Sequence, residues 1–276
     1  MASLDLAALA DLATELTTLS ASAADAVRRV RERSGGDIGI RIKADSSPVT
    51  LADEAAEGII REGLARLRPA WPAISEEQAE HIAPSGDTPY FLVDPLDGTR
   101  EFIAGRHEYT VNIGLIAGGA PVLGVVAAPA LGLIWRGIAG RGAERMEITG
   151  RKISPPQKVH TRVRSVGELH VMISRSHLDA RTQAYLDSLP HARRTACGSS
   201  IKFCRLAEGF ADHYPRLAPT RDWDVAAGHA ILVAAGGSIV DPHGAPLVYG
   251  TPDLRIPAFL AWGGPAPTER ALKKAY

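Results

Sequence analysis

Tyr90-Phe91-Leu92-Val93 runs straight into Asp94-Pro95-Leu96-Asp97-Gly98-Thr99. A short apolar run ending at a carboxylate reads as a buried strand with Asp94 at its C-terminal edge, where α/β proteins place their sites. Pro95 fixes φ and removes a donor, so the chain turns there and Asp97 comes back to the side that Asp94 occupies. The Leu96 carbonyl lies between them as a third oxygen. Gly98 and Thr99 follow at what reads as a helix N-terminus, whose backbone N–H groups suit a phosphate. Hard oxygens beside an anion cradle are what Mg²⁺ and a phosphoryl group require together. An Asp-Pro turn followed by an Asp N-cap has the same residues, so the rest of the chain must decide between the two.

Further acidic features lie at the ends of other elements. Ser75-Glu76-Glu77 follows the short apolar strand at Ala73-Ile74. A helix starts near Thr50, with Asp53 in a Thr-x-x-Asp arrangement, and ends before Pro69. Asp222-Trp223-Asp224 opens another helix, which Gly236-Gly237 ends. Read singly, Asp53 is a capping-box acid and Asp224 an N-cap. Carboxylates that converge raise one another's pKa unless cations sit among them, so convergence would make a metal the expected reason. A second set is polar or basic. Ser199-Ser200 begins a helix with Lys202 in its first turn, against the helix dipole, which calls for an anionic partner. Arg216 follows a strand at 211–214 and Pro215, and His177 ends Ser174-Arg175-Ser176-His177 after a strand at 168–173. Singly these are surface cations or caps. Together they suit a substrate carrying further negative charge.

The chain of 276 residues is long enough for one large α/β domain or two smaller ones. Leu6, Leu9, Leu12, Leu16 and Leu19 recur at helical spacing within residues 4–33, which end in an Arg-rich run before Gly35-Gly36. Residues 38–49 read as a short strand and a turn. Residues 109–135 carry no charge, yet Gly118-Gly119-Ala120-Pro121 and Pro129-Ala130-Leu131-Gly132 cut them into short Val/Leu/Ile runs. They read as part of a strand meander over 109–149 rather than as a membrane span. Helices are expected at 178–188, 199–208 and 222–235, a strand at 258–262, and a short helix at the C-terminus. The pattern suggests layered α-β-α-β-α packing. A soft boundary near Pro155-Pro156 divides an N-terminal α+β half, 1–155, from a C-terminal α/β half, 156–276, in one catalytic unit. Lys plus Arg balance Asp plus Glu at 31 each, which argues against binding a nucleic-acid polymer or an anionic membrane by bulk charge. Cys197 and Cys204 read as buried thiols on one face of a helix, and residues 1–20 lack the pattern of a secretory leader.

Lys43 to Thr50, Ser75-Glu76-Glu77, Asp94 to Thr99 and Trp223 to Gly228 resemble the motifs of the inositol monophosphatase superfamily. The stretches Asp97 to Phe102, Ser174 to His177 and Gly198 to Cys204 resemble its bacterial CysQ-type 3'(2'),5'-bisphosphate nucleotidase branch. The resemblance runs in order from about Lys43 to Gly263. It implies the layered sugar-phosphatase fold and Mg²⁺-dependent removal of the 3'-phosphate of adenosine 3',5'-bisphosphate by a metal-activated water, with the sulfated analogue as a further substrate. It also implies that Glu76, Asp94, the Leu96 carbonyl, Asp97 and Asp224 hold two or three magnesium ions. Asp53 and Thr99, with Glu76, match the residues that orient or deprotonate the attacking water, and Gly98 and Thr99 amides the phosphate contacts. His177, Ser199, Lys202 and Arg216 match nucleotide-contacting positions. At the Arg216 position inositol-specific relatives carry a carboxylate, whereas a cation suits a second phosphate. Inositol 1-phosphate or fructose 1,6-bisphosphate hydrolysis, and a non-catalytic metal or nucleotide sensor, are the alternatives. The segment 78–89 leaves the source of any third-metal ligand open. The expected setting is the cytoplasm, with peripheral contact at the inner membrane and homodimer formation both left open.

Overall fold

The computed structural model describes residues 5–33, 37–44, 46–78, 87–162, 168–189 and 191–267. The Leu/Ala periodicity forms helix α1 (Leu6–Arg33), which buries Leu9, Leu12 and Leu16 together with Ala13, Ala21 and Ala24. A hairpin of β1 (Arg41–Ile42) and β2 (Pro48–Val49) leads into α2 (Leu51–Leu67), capped by Thr50. Strands β3 (Ala73–Ser75) and β4 (Tyr90–Asp97) pair in parallel, with Ser75 opposite Val93, so both deliver carboxylates at the same sheet edge. After α3 (Thr99–Ile103) come β5 (Thr110–Ala117), β6 (Ala120–Ala128), β7 (Leu133–Ile138), β8 (Gly142–Thr149), β9 (Lys152–Ile153) and β10 (Gln157–Val159). They form an antiparallel meander in the order β10-β8-β7-β6-β5-β4-β3, with β9 beside β8. The uncharged stretch 109–135 is thus strand, and no described helix is long and apolar enough to cross a membrane.

The second half contributes β11 (His170–Ser174), α4 (Ala180–Asp187), β12 (Arg193–Cys197), α5 (Ile201–Ala207), β13 (His213–Arg216) and β14 (Thr220–Arg221). There follow α6 (Asp222–Ala234), β15 (Ser238–Val240), β16 (Arg255–Ile256) and β17 (Phe259–Trp262). The second sheet has the order β12-β11-β13-β17-β15. Three sequence expectations are corrected. Cys197 ends strand β12, so it does not share a helix face with Cys204, although both thiols are buried. The strand expected at 211–214 lies at His213–Arg216, where it pairs with β17, so Arg216 ends the strand instead of following it. The helix expected from Ser199 starts two residues later, because Ser199 adopts a left-handed φ of 51°. The expected C-terminal helix lies outside the described residues.

Burial divides the molecule into the expected α-β-α-β-α layers. The outer face of the first sheet packs on α1 and α2 through Val111, Ile113, Leu123 and Val125. Its inner face packs on α6 and α5, which also meet the second sheet through Tyr214 and Phe259. The far face of the second sheet is covered by α4 through Tyr185 and Leu186. Helix α6 can lie this close because three glycines face it. Gly114, Gly124 and Gly137 are cross-strand neighbours on β5, β6 and β7. A Cβ on them would lie 2.8 Å from Ala226 Cβ, 2.2 Å from the Ala227 carbonyl oxygen and 2.5 Å from Ile231 Cα respectively. This glycine row sets the depth of α6, and α6 carries Asp224 in its first turn.

Candidate active site

The site forms where β3 and β4 end and α6 begins. Between Asp94 and Asp97 the β4–β5 register shifts, since Pro95 offers no N–H to the ladder. The Asp94 carboxyl is buried. Its Oδ1 accepts from the Leu96 N–H at 3.0 Å, while Oδ2 has no hydrogen-bond partner among the described residues. Glu76, Asp94 and Asp224 each bring a carboxylate oxygen within 4.8 Å of the others'. Asp97 stands beside them, its Oδ2 accepting from the Ser200 N–H at 2.6 Å and from Asn112 Nδ2 at 3.4 Å. Ser200 Oγ in turn donates to Asn112 Oδ1 at 2.7 Å, so β5 and the start of α5 hold Asp97 between them. Leu96 lines the same cavity, of about 220 Å³.

Electrostatics show what this grouping demands. Burial, and then the Asp224 charge, push the Glu76 pKa up to about 8 despite Lys43. The same two causes push Asp97 up to about 7. Burial and the neighbouring Glu76 and Asp97 drive Asp94 well above the usual carboxylate range. Lys43, from the β1–β2 hairpin, donates to Glu76 at 3.3 Å and to Glu77 at 2.6 Å, and so offsets the periphery of the cluster rather than its centre. An orphaned buried carboxylate oxygen amid like charges, in an all-oxygen donor set, fits a hard divalent cation.

Asp53 and Asp224 each stand in the first turn of a helix. In α2, Asp53 Oδ2 accepts from the Thr50 N–H at 2.8 Å and from Thr50 Oγ1 at 2.7 Å, completing the capping box. Its other oxygen, Oδ1, accepts from Thr99 Oγ1 at 3.2 Å. Thr99 Oγ1 also lies 3.0 Å from the Leu96 carbonyl oxygen. Burial raises the Asp53 pKa, against the hydrogen bonds from Thr50. In α6, Asp224 Oδ2 accepts from the Arg221 N–H at 3.0 Å and from Thr220 Oγ1. Each carboxylate thus spends one oxygen on its own helix start.

The same cavity also carries basic side chains. His177, Ser199, Lys202 and Arg216 all line the cavity with Arg100, Ser174, Gly198 and Tyr214. Lys202 is buried, and its ammonium donates to the Ser199 carbonyl at 2.6 Å and the Cys197 carbonyl at 3.2 Å, 5.0 Å above the Tyr214 ring. The anionic partner expected for it is therefore replaced by backbone oxygens that the left-handed Ser199 curls towards it, although Asp97 still senses its charge. Arg216 Nε is buried with no hydrogen-bond partner among the described residues. Partial burial, then the Arg216 and Arg100 charges, lower the His177 pKa and so favour the neutral imidazole. Of the residues expected at the site, all but Asp53 line the cavity, and Asp53 stands behind Thr99. Arg100, Glu101, Asn112 and Ser200 were not anticipated. Arg100 and Glu101 adjoin Thr99, a proximity that could have flagged them, whereas Asn112 sits mid-strand with no local signal. The 78–89 segment lies partly outside the described residues.

Comparison with known proteins agrees with this architecture. The chain belongs to the inositol monophosphatase family, whose model matches residues 11–275. Within it the chain is similar to proteins named 3'(2'),5'-bisphosphate nucleotidase CysQ. Those of Escherichia coli K12 and Salmonella typhimurium LT2 are 42% and 43% identical over 245 and 242 residues, covering 85% of this chain and 92% of each relative. The crystal structure of CysQ from Bacteroides thetaiotaomicron superposes with a TM-score of 0.80 at 32% identity, covering 91% of this chain and 97% of that one. An inositol monophosphatase from Zymomonas mobilis gives 0.76 at 26% identity, covering 97% and 98%.

Proposed function

We propose that this chain hydrolyses the 3'-phosphate of adenosine 3',5'-bisphosphate to AMP and phosphate, with the sulfated analogue as a second substrate. The observation that carries the reading is one cavity lined by both kinds of charge. It holds the clustered carboxylates around the orphaned Asp94 Oδ2 together with the buried Arg216, whose Nε has no partner among the described residues, and the Lys202 ammonium. The carboxylates suit a reacting phosphoryl group with its cations, and the basic side chains a further phosphate.

Glu76, Asp94, the Leu96 carbonyl, Asp97 and Asp224 would hold magnesium, which when bound supplies Lewis acidity and neutralises charge on the phosphoryl oxygens. The remaining work falls to the chain. Thr99 Oγ1 orients the attacking water and takes a proton from it while passing its own to Asp53 Oδ1, to which it already donates. The raised Asp53 pKa makes that carboxylate able to accept it. Backbone N–H groups of Gly98 and Thr99 receive the equatorial oxygens as their charge grows. Lys202 spends two donors on carbonyls and keeps one for the nucleotide. With Arg216 it fixes the second phosphate, while His177 and Ser199 contact the nucleoside. In this reading residues 1–155 supply most metal ligands, residues 156–276 supply Asp224 and the nucleotide contacts, and the enzyme acts in the cytoplasm.

A phosphate-release panel in Mg²⁺ with adenosine 3',5'-bisphosphate, inositol 1-phosphate and fructose 1,6-bisphosphate tests the proposal. The bisphosphonucleotide should have the highest kcat/KM. Preference for inositol 1-phosphate would overturn the assignment, and nucleotide binding without turnover would make the protein a sensor.

A further inference from the structure

Two segments that reach the cavity from the C-terminal half, around His177 and around Ser199, are tied together by one carboxylate from the N-terminal half. Glu108 lies between α3 and β5. Its Oε1 accepts from Arg175 Nη2 at 2.7 Å, and its Oε2 from Arg175 Nε at 2.6 Å. The same Oε2 accepts from the Gly198 N–H at 2.8 Å. Fork-to-fork pairing of this kind fixes orientation as well as distance. Arg175 closes the circuit, because Nη2 also donates to the Ala196 carbonyl at 2.8 Å and its backbone N–H to the Cys197 carbonyl at 3.2 Å. Gly198 has no room for a side chain here: a Cβ would lie 2.6 Å from the Glu108 carbonyl oxygen and 2.8 Å from Glu101 Cγ.

The next residue, Ser199, holds a φ of 51°, a conformation that costs a non-glycine residue energy and persists where its surroundings over-determine it. Three anchors do so here. Glu108 pins the Gly198 N–H, Asp97 pins the Ser200 N–H at 2.6 Å, and Lys202 folds onto the Ser199 carbonyl. On the other segment, Ser176 Oγ donates to Glu101, and the His177 N–H donates to Ser174 Oγ at 3.1 Å. Beyond the end of the β11–β12 pairing, where Ser174 lies opposite Cys197, Glu108 anchors both segments, and it touches none of Glu76, Asp94 and Asp224.

We propose that Glu108 is a positioning residue for the nucleotide: by gripping Arg175 and Gly198 at once, it holds the His177 and Ser199 segments at a fixed separation and thereby sets substrate binding rather than the rate of phosphoryl transfer. This rests on the nucleotidase reading of the site. Steady-state kinetics with adenosine 3',5'-bisphosphate on the wild type, Glu108→Gln, Arg175→Lys and the double variant test it, with Tm measured for each. Glu108→Gln keeps an acceptor but loses the charged fork, and Arg175→Lys keeps the charge but loses the fork. Each should raise KM about tenfold, equivalent to about 1.4 kcal/mol, with kcat within about twofold. The double variant should be no worse than either single one, since both break the same link. An unchanged KM in both single variants would overturn the positioning role. So would a fall in kcat and Tm at constant KM, the signature of a merely structural pair. Absence of turnover by the wild type would instead sink the nucleotidase reading, and this proposal with it.

Discussion

Gly124→Ala tests whether the glycine row sets the position of the Asp224 carboxylate, proposed above to hold metal. The new Cβ would sit 2.2 Å from the Ala227 carbonyl oxygen and 2.9 Å from Ala227 Cα, both backbone atoms that no rotamer change can move. Ordinary van der Waals contact starts at 3.4 Å. Helix α6 must therefore retreat from β6 by about 1 Å or the sheet must bend by as much. Overpacking of this kind costs about 1–3 kcal/mol, and at this chain length each kcal/mol lowers Tm by about 2–4 °C. Asp224 lies one helical turn before Ala227, so it moves with the helix. A displacement of about 1 Å at a reacting centre costs on the order of 100-fold in rate. Differential scanning calorimetry and kcat/KM for the bisphosphonucleotide read the two effects together. Gly58→Ala on α2, whose Cβ meets nothing within 4 Å, is the control and should gain up to about 1 kcal/mol with activity unchanged. If Gly124→Ala leaves both Tm and kcat/KM at wild-type values, the glycine row does not place Asp224.

Asp94→Asn removes a buried charge while keeping the shape, so turnover should fall more than about 100-fold while the metal-free protein melts no lower than wild type; retained activity would remove Asp94 from the metal set. Asp53→Asn keeps an acceptor for Thr99 but cannot take its proton, so kcat should fall by about 100-fold with KM little changed, and a pure KM effect would contradict the proton-transfer role. Stability without metal should depend on pH in a defined direction. The folded-state pKa values of Glu76 and Asp97 are raised to about 8 and about 7, so their favourable contribution is complete below their unfolded-state pKa values near ~4 and is lost as pH climbs through 7 and 8. Thermal melts of metal-free protein should therefore show Tm falling across that window, with saturating Mg²⁺ flattening the slope; a rising Tm would refute the clustering argument.

Legibility in the sequence followed how local each signal is. The Asp94 to Thr99 stretch announced both its strand and its turn, because the apolar run, the proline and the glycine each act on their own neighbours. Thr50 and Asp53 announced a helix start for the same reason, and the meander showed through its Gly/Pro cuts. Strand β12 did not show, since Arg193 and Arg194 are exposed and only its parallel pairing with β11 makes it a strand. Its absence from the reading also misplaced Cys197. Strand β15 is three residues long and exists by pairing with β17. Helix-dipole reasoning at Lys202 asked for an anion, but the carbonyls of Cys197 and Ser199 lay nearer once Ser199 turned left-handed. The link from Glu108 to Arg175 spans 67 residues and leaves no trace in local pattern. Convergence of Glu76, Asp94 and Asp224 was legible through family resemblance rather than through spacing.

The most direct measurement is calorimetric titration of magnesium into metal-free protein at pH 7, run in two buffers of different ionisation enthalpy. A cation that replaces protons on crowded carboxylates must release them, so the account predicts saturable uptake with release of at least one proton, the release diminishing as pH rises and the uptake lost in Asp94→Asn. Absence of uptake, or uptake that releases no proton and persists unchanged in Asp94→Asn, would contradict it.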